Sequence, residues 1–166
     1  MNSILRIGDQ AYSWFLKMAS LMQGPFLLAV RLYWGWQFWQ SGSAKLSNIS
    51  NVVAYFTSLG VPAPALNAHF VSLLEAGGGI LLILGLGSRL VALPLAFDMI
   101  VAYVTADNEA LHSFLSDPEK FRAAAPYTFL FASLLILFFG PGWFSLDTLI
   151  AWFRRRRASS FDRSAA

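Results

Sequence analysis

The stretch from Glu75 to Asp98, EAGGGILLILGLGSRLVALPLAFD, decides the fold of this chain. Two apolar runs flank a short connection from Gly85 to Arg89, which leaves room only for a tight reversal. Each run, extended by its apolar neighbours, reaches about the 20 residues that a helix needs to cross a bilayer core of about 30 Å. The stretch therefore predicts two antiparallel membrane-spanning helices joined as a hairpin.

The composition extends this prediction to the whole chain. Hydrophobic residues make up 57% of the 166 residues and charged residues 13%, whereas a soluble domain carries about 45–50% apolar and about 25% charged residues. Most of the surface therefore has to face lipid, which excludes a cytosolic enzyme, a disordered tail and a nucleic-acid-binding module. Cysteine is absent, which excludes disulfides, cysteine-ligated cofactors and thiol redox chemistry.

Four stretches are long and apolar enough to span a membrane. They predict an all-α polytopic membrane protein, an antiparallel four-transmembrane-helix bundle with short interfacial helices. The predicted spans are residues 25–45, 67–87, 88–106 and 123–140. The predicted domains are an amphipathic N-terminal interfacial helix (residues 1–24), the transmembrane domain (residues 25–142) and a basic amphipathic C-terminal tail (residues 143–166). Further short helices are expected in the outer loops, from Asn51 to Gly60 and from Asp117 onward, and Ser145 is expected to cap a helix in the tail.

The distribution of basic residues predicts the orientation. One set lies on the side of the hairpin connection: Arg6, Lys17, Arg89, Arg154, Arg155, Arg156, Arg157 and Arg163. The set on the other side is Lys45, Lys120 and Arg122. Because cytoplasmic loops carry an excess of Lys and Arg, we expect both termini in the cytoplasm.

Three ionisable residues lie inside the predicted spans, namely Arg31, Glu75 and Asp98. Each costs at least about 2.5–3.5 kcal/mol at a helix centre unless it is paired or functional. Glu75 and Asp98 fall near the middle of the membrane, and the long side chain of Arg31 can reach their depth. We therefore expect a bidentate Arg31–Glu75 pair, with Asp98 either completing a triad or held protonated. The alternative is that these residues only fix helix register.

Helical spacing places small residues on the same faces as these charges. One stripe consists of Arg31, Gly35, Phe38, Gly42 and Lys45, and a second consists of Glu75, Gly78, Gly79 and Leu82. Glycines on such a face let a neighbouring backbone come close. Gln37 and Gln40 point elsewhere on the first span, towards either another helix or another subunit; the second alternative would be a homo-oligomer.

The order and spacing of these residues resemble a known family. The pattern is Arg31-x3-Gly35-x2-Phe38-x3-Gly42-x2-Lys45, then Pro62-Ala-Pro64, Glu75-x2-Gly78-Gly79 and Gly85-Leu-Gly87-Ser-Arg89. From about Phe26 to Phe144 it is similar to the DoxX family of small bacterial four-helix membrane proteins. The resemblance implies a bundle in the bacterial inner membrane and an association with redox functions, including a thiosulfate:quinone oxidoreductase subunit. It carries over Arg31, Lys45 and Glu75, with Arg89 beside the hairpin, but not Asp98.

Two functions remain open at this point. The first is a subunit of a quinone-linked membrane oxidoreductase that binds a quinone or similar hydrophobic molecule in the bundle, while partner subunits supply the redox cofactor. Its candidate proton groups are Glu75 and Asp98, and its candidate ligand contacts are Arg31, Lys45, Tyr33 and Trp34, with no metal site. The second is a non-catalytic scaffold, or a lipid- or small-molecule-binding component of a larger complex. Membrane lipids are partners in both.

Overall fold

The computed structural model describes residues 2–164, with side chains described for residues 9, 10 and 12–156. Within that part of the chain every regular element is helical and no strand occurs, which confirms the predicted all-α class. The helices are α1 (Asn2–Ser47), α2 (Ile49–Ser58), α3 (Pro64–Leu84), α4 (Ser88–Thr105), α5 (Asn108–His112), α6 (Pro118–Ala123), α7 (Pro126–Phe139) and α8 (Leu146–Ser164). The side chains of Arg6, Arg157 and Arg163, which entered the orientation prediction, lie outside the described set.

Four of these helices pack around an apolar core. α1 and α3 share the most extensive contact, α4 packs against both α3 and α7, and α7 contacts α1. The buried core residues are Phe38, Leu82, Ala92, Leu95, Met99 and Ile136. Each of the four helices contributes to this core, so its apolar side chains hold the helices together in one unit.

The predicted hairpin between α3 and α4 is present. α3 ends because Gly85 adopts a left-handed conformation (φ +70°), and Gly87 (φ +58°) precedes the first residue of α4. Glycine tolerates such positive φ values, which other residues rarely adopt. α3 begins at Pro64 rather than near residue 67, because proline is favoured in the first turn of a helix.

Two of the described helices are long and apolar enough to cross a membrane. These are α3, with 21 residues, and α4, with 18. α7 is apolar but has only 14 residues, or about 21 Å along its axis. It begins at Pro126 rather than near residue 123 and ends at Phe139, before Gly140, whose φ is +80°. α1 contains the polar residues Arg31, Gln37 and Gln40, and it is not one of the two helices that are long and apolar enough to cross a membrane.

α1 is a single helix where the sequence predicts two segments. It continues from Asn2 to Ser47 through Pro25 over 46 residues, which corresponds to about 69 Å. The predicted interfacial helix over residues 1–24 is therefore not a separate element. The side chains described before Gly24 are exposed, whereas Gly24 and Leu27 are buried. α1 therefore begins to pack against the other helices at Gly24.

Two of the three helix caps predicted from the sequence are present, at Asp117 and Ser145. α2 lies where a helix is expected between Asn51 and Gly60, but it begins at Ile49, so Asn51 lies inside the helix and does not cap it. At the start of α6, the Asp117 carboxylate accepts a 3.2 Å hydrogen bond from the backbone N–H of Lys120. At the start of α8, the hydroxyl of Ser145 accepts a 3.2 Å bond from the backbone N–H of Thr148. Both contacts satisfy N–H groups that a helix leaves unpaired at its first turn.

Glycines allow the backbones of α1 and α3 to touch. A Cβ atom at Gly42 would overlap the backbone of Ser72 and Ala76. A Cβ atom at Gly35 would lie 2.9 Å from the carbonyl oxygen of Gly79. The glycine-containing stripe predicted on α1 is therefore the face that contacts α3, and its glycines set the distance between the two helices.

Gly42→Ala is expected to destabilise the chain by about 1–3 kcal/mol, because the added methyl group must push α1 away from α3. Gly77→Ala is the matched control, since a Cβ atom there would meet nothing within 4 Å and alanine favours a helix over glycine by about 1 kcal/mol. Thermal unfolding in a mild detergent compares the two variants with the native chain. Equal effects at both positions would contradict the close contact.

Candidate functional site

A buried ion pair joins α1 to α3 inside the bundle. The carboxylate of Glu75 is 2% exposed and accepts a hydrogen bond of 2.6 Å from the Nζ atom of Lys45. Its second oxygen accepts a hydrogen bond of 2.9 Å from the hydroxyl of Ser41. Each carboxylate oxygen therefore has a donor, as a buried charge requires.

The close approach of α1 and α3 brings these groups within reach of one another. Ser41 and Lys45 are four residues apart, so they share one face of α1. Gly42 lies between them and lets the backbone of α3 come near. The Lys45 side chain is 32% exposed, because it extends from the rim of the bundle, near the end of α1, to the buried Glu75 carboxylate.

A second carboxylate belongs to the same group of charges but has fewer partners. Asp98, on α4, is 8% exposed, and its Oδ2 atom is buried without a hydrogen-bond partner among the described residues. The charges of Glu75 and Lys45 both act on it. We call these three residues the Lys45–Glu75–Asp98 cluster. It contains one cation and two carboxyl groups, so it is neutral only when one carboxyl group carries a proton.

The predicted pairing of Arg31 with Glu75 is wrong. Arg31 is 1% exposed, and its guanidinium donates to backbone carbonyls instead. The acceptors are the oxygens of Leu82 (2.9 Å) and Ile83 (3.1 Å) at the end of α3 and of Pro141 (2.6 Å) and Phe144 (2.9 Å) after α7. The last carbonyls of a helix lack partners within the helix and favour a nearby cation. Arg31 therefore caps α3 about two helical turns away from Glu75.

Asp147 completes this junction from α8. Its carboxylate accepts hydrogen bonds from the backbone N–H groups of Gly87 (2.7 Å) and Ser88 (3.0 Å). Its own N–H donates to the carbonyl of Gly85 at 3.0 Å. Asp147 thus caps the start of α4, while Arg31 caps the end of α3. Together they fasten the hairpin to α1 and α8, which is a structural role.

The two predicted aromatic contacts lie away from the cluster. Tyr33 is 59% exposed. Trp34 packs edge-to-face against Phe129 of α7, with 5.3 Å between the ring centroids. Of the predicted ligand contacts, only Lys45 joins Glu75 and Asp98. Ser41 also belongs to the site and was not among the predicted residues, although its position four residues before Lys45 places it on the same face of α1.

Comparison with known proteins places the cluster within a family. The DoxX family profile matches residues 26–108, which include all three cluster residues. The chain is 30% identical over 148 residues to "Uncharacterized membrane protein Rv3486" of Mycobacterium tuberculosis (strain ATCC 25618 / H37Rv), covering 84% of this chain and 90% of that protein. The chain belongs to the DoxX family. The predicted resemblance is thereby confirmed.

A second relative of this DoxX-family chain is named as an oxidoreductase. The chain is 26% identical over 123 residues to "Putative oxidoreductase CatD" of Bacillus subtilis (strain 168), covering 74% of this chain and 85% of that protein. No solved structure matches the chain significantly. Family membership, the membrane relative and the two apolar helices together support membrane localisation.

Two surface cavities of this DoxX-family chain lie outside the cluster. A groove of about 640 Å³ separates the start of α4 from α8. A second cavity of about 430 Å³ lies beside α5 and α6. At the second, the hydrogen bond from Lys120 (2.9 Å) lowers the pKa of the exposed Glu109 carboxyl group below its ordinary value. No group of three or more metal-ligating side chains occurs among the described residues.

Lys45→Met is expected to destabilise the chain by about 3–5 kcal/mol, because it leaves the Glu75 charge buried without its cation. Glu75→Gln is expected to cost less, since the partly exposed Lys45 amine can turn toward the rim. The double variant should recover most of the loss caused by Lys45→Met. Thermal unfolding of the four chains in a mild detergent forms a double-mutant cycle, and strictly additive losses would contradict the ion pair.

Proposed function

We propose that this DoxX-family chain is a subunit of a membrane redox system and that a quinone, or a hydrophobic carrier of similar chemistry, binds beside the Lys45–Glu75–Asp98 cluster. The observation that carries the proposal is the buried Asp98 oxygen without a hydrogen-bond partner in the described structure. Native proteins rarely leave such a group unsatisfied, and an ionisable residue within a membrane most often belongs to a ligand or proton pathway. The polar oxygen of a bound carrier would give Asp98 a partner.

The chemistry of the cluster suits a reaction that combines electrons with protons. Reduction of a quinone to a quinol consumes both, and lipid supplies no protons, so acidic side chains have to deliver them. In this proposal Asp98 holds the exchangeable proton, because Glu75 already accepts two hydrogen bonds. Glu75 is the second proton group, and the Lys45 ammonium would stabilise negative charge on the carrier's oxygen. A redox cofactor in a partner subunit would supply the electrons.

The similarity to CatD supports the reaction class. The printed name of that relative describes an oxidoreductase. At 26% identity this supports redox chemistry in general, and the choice of a quinone rests on the acidic cluster. Gln40, exposed on α1, provides a polar group for contact with another copy of the chain or with a partner subunit.

The same proposal includes four membrane crossings with both termini in the cytoplasm of a bacterial cell. α3 and α4 supply two crossings, and the packed half of α1 and the shorter α7 supply the others. α7 spans about 21 Å, so the adjoining α6 segment and Gly140 would have to complete its crossing. Arg89 lies at the hairpin connection and Arg154 in α8, on the side that the excess of basic residues assigns to the cytoplasm.

A non-catalytic scaffold is the alternative, and one observation favours it. Neither of the two surface cavities described above is lined by a residue of the cluster. A scaffold needs no internal binding volume, and the Lys45–Glu75 pair would then serve helix register. This alternative does not explain why a buried Asp98 oxygen lacks a hydrogen-bond partner, and we therefore favour the redox function.

The quinone content of the purified chain tests the redox proposal. We expect the native chain, isolated from bacterial membranes in a mild detergent, to retain quinone detectable by mass spectrometry. Asp98→Asn should retain at least about tenfold less, because loss of a charged or hydrogen-bonding contact costs about 1.5–3 kcal/mol. Asp107→Asn, which makes the same chemical change just beyond the end of α4, is the control and should match the native chain. Native protein without quinone, or Asp98→Asn with a native amount, would refute the proposal.

The absence of native cysteines allows a direct test of topology. Ser58→Cys, at the end of α2, is expected to react with a membrane-impermeant maleimide on intact cells. Asp9→Cys, in the N-terminal part of α1, should react only after the membrane is permeabilised. Both side chains are exposed, so a difference in labelling reports the side of the membrane. Labelling of Asp9→Cys on intact cells would contradict a cytoplasmic N-terminus.

A further inference from the structure

The groove between the start of α4 and α8 is not part of the site that we propose for the redox carrier. Its volume is about 640 Å³, and its walls include Arg89, Leu90, Asp147, Trp152 and Arg155. We propose that this groove binds the headgroup of an anionic phospholipid, with the phosphate between the two arginines. The inference does not depend on the redox role of the bundle.

The charge of the groove favours an anion. The Asp147 carboxylate is the acidic group in its wall, and the backbone N–H groups of Gly87 and Ser88 already occupy its two oxygens. The buried charge of Arg31 also acts on Asp147. Its negative charge is therefore compensated within the protein, which leaves the charges of two arginines facing the groove. Guanidinium groups bind phosphate with paired hydrogen bonds.

The positions of the two arginines are supported by neighbouring contacts. Arg89 donates a hydrogen bond of 3.2 Å from Nη2 to the carbonyl oxygen of Phe138, which holds it at the end of α7. Arg155 projects from α8 on the opposite wall. Next to it, the guanidinium of Arg156 lies 3.8 Å from the centroid of the Trp152 ring. Such a cation–π contact favours one orientation of the indole, which forms part of the wall.

The apolar part of the groove favours a lipid over a free anion. Leu90, in the first turn of α4, is 80% exposed, and Trp152 is 44% exposed. α4 is one of the two helices able to cross a membrane, so its first turn lies at the level where lipid headgroups meet acyl chains. Tryptophan is enriched at that level. A phospholipid would place its phosphate on the arginines and an acyl chain along Leu90, whereas inorganic phosphate would use the arginines alone.

The test uses the full chain, purified in a mild detergent and delipidated. Dioleoylphosphatidylglycerol is expected to raise its unfolding temperature, and dioleoylphosphatidylcholine is not. Arg89→Gln/Arg155→Gln should weaken the apparent affinity for phosphatidylglycerol at least about tenfold, since each basic residue near an anionic lipid surface contributes about 1 kcal/mol. Lys17→Gln/Arg154→Gln removes the same charge from exposed positions outside the groove and should bind phosphatidylglycerol as the native chain does.

Each other outcome would overturn the proposal. Equal weakening in the two double variants would show general attraction to a basic surface, and equal stabilisation by inorganic phosphate would show a site for a free anion. Native affinity in Arg89→Gln/Arg155→Gln would exclude the groove. If loss of the Arg89–Phe138 contact prevents folding, Arg155→Gln alone, on the surface of α8, decides between the same outcomes.

Discussion

The burial of charge away from water is the constraint on which the rest of this structure depends. Inside the bundle every ionised group needs partners supplied by the protein. Arg31 uses four backbone carbonyls, and Glu75 uses Lys45 and Ser41. Glu75 and two of the carbonyls bound by Arg31 belong to α3, so these contacts require α1 to lie directly against α3, which the glycines at their contact permit. One helix–helix contact therefore sets the register and satisfies two charges.

The buried charged residues form two sets with different roles, one at the hairpin end and one nearer the middle of α3 and α4. At the hairpin end, Arg31 and Asp147 satisfy the ends of α3 and α4, and the unpartnered group there, among the described residues, is the neutral hydroxyl of Ser88. Nearer the middle of α3 and α4, Lys45 and Glu75 satisfy each other, but Asp98 retains an unpartnered oxygen. Asp98 is therefore the residue to which we assign a function. If it served helix register alone, the fold would be more stable with a hydrogen-bond partner for its carboxylate or with an apolar side chain in its place. The family profile includes this residue's segment, at residues 26–108.

Sequence patterns predicted the helical class, the hairpin and the face of α1 that meets α3, because apolar runs, glycines and helical spacing are local properties. They did not predict the partner of Glu75. Arg31 and Lys45 lie on the same stripe, and only the register of α1 against α3 decides which of them reaches the carboxylate. Asp147 was unpredictable for a related reason, since its contact with the hairpin joins residues 60 positions apart. The extent of α7 depended on the backbone at Pro126 and Gly140, which hydropathy does not describe.

Infrared spectroscopy of the chain in lipid tests most directly whether Asp98 is the proton-carrying group of the interior. The native chain should show the carbonyl stretching band of a protonated carboxylic acid, with the shift that exchange into D₂O produces. That band should be missing from the Asp98→Asn variant and present in Asp107→Asn. A native spectrum without the band, or a band that Asp98→Asn retains unchanged, would contradict the assignment of the proton to Asp98.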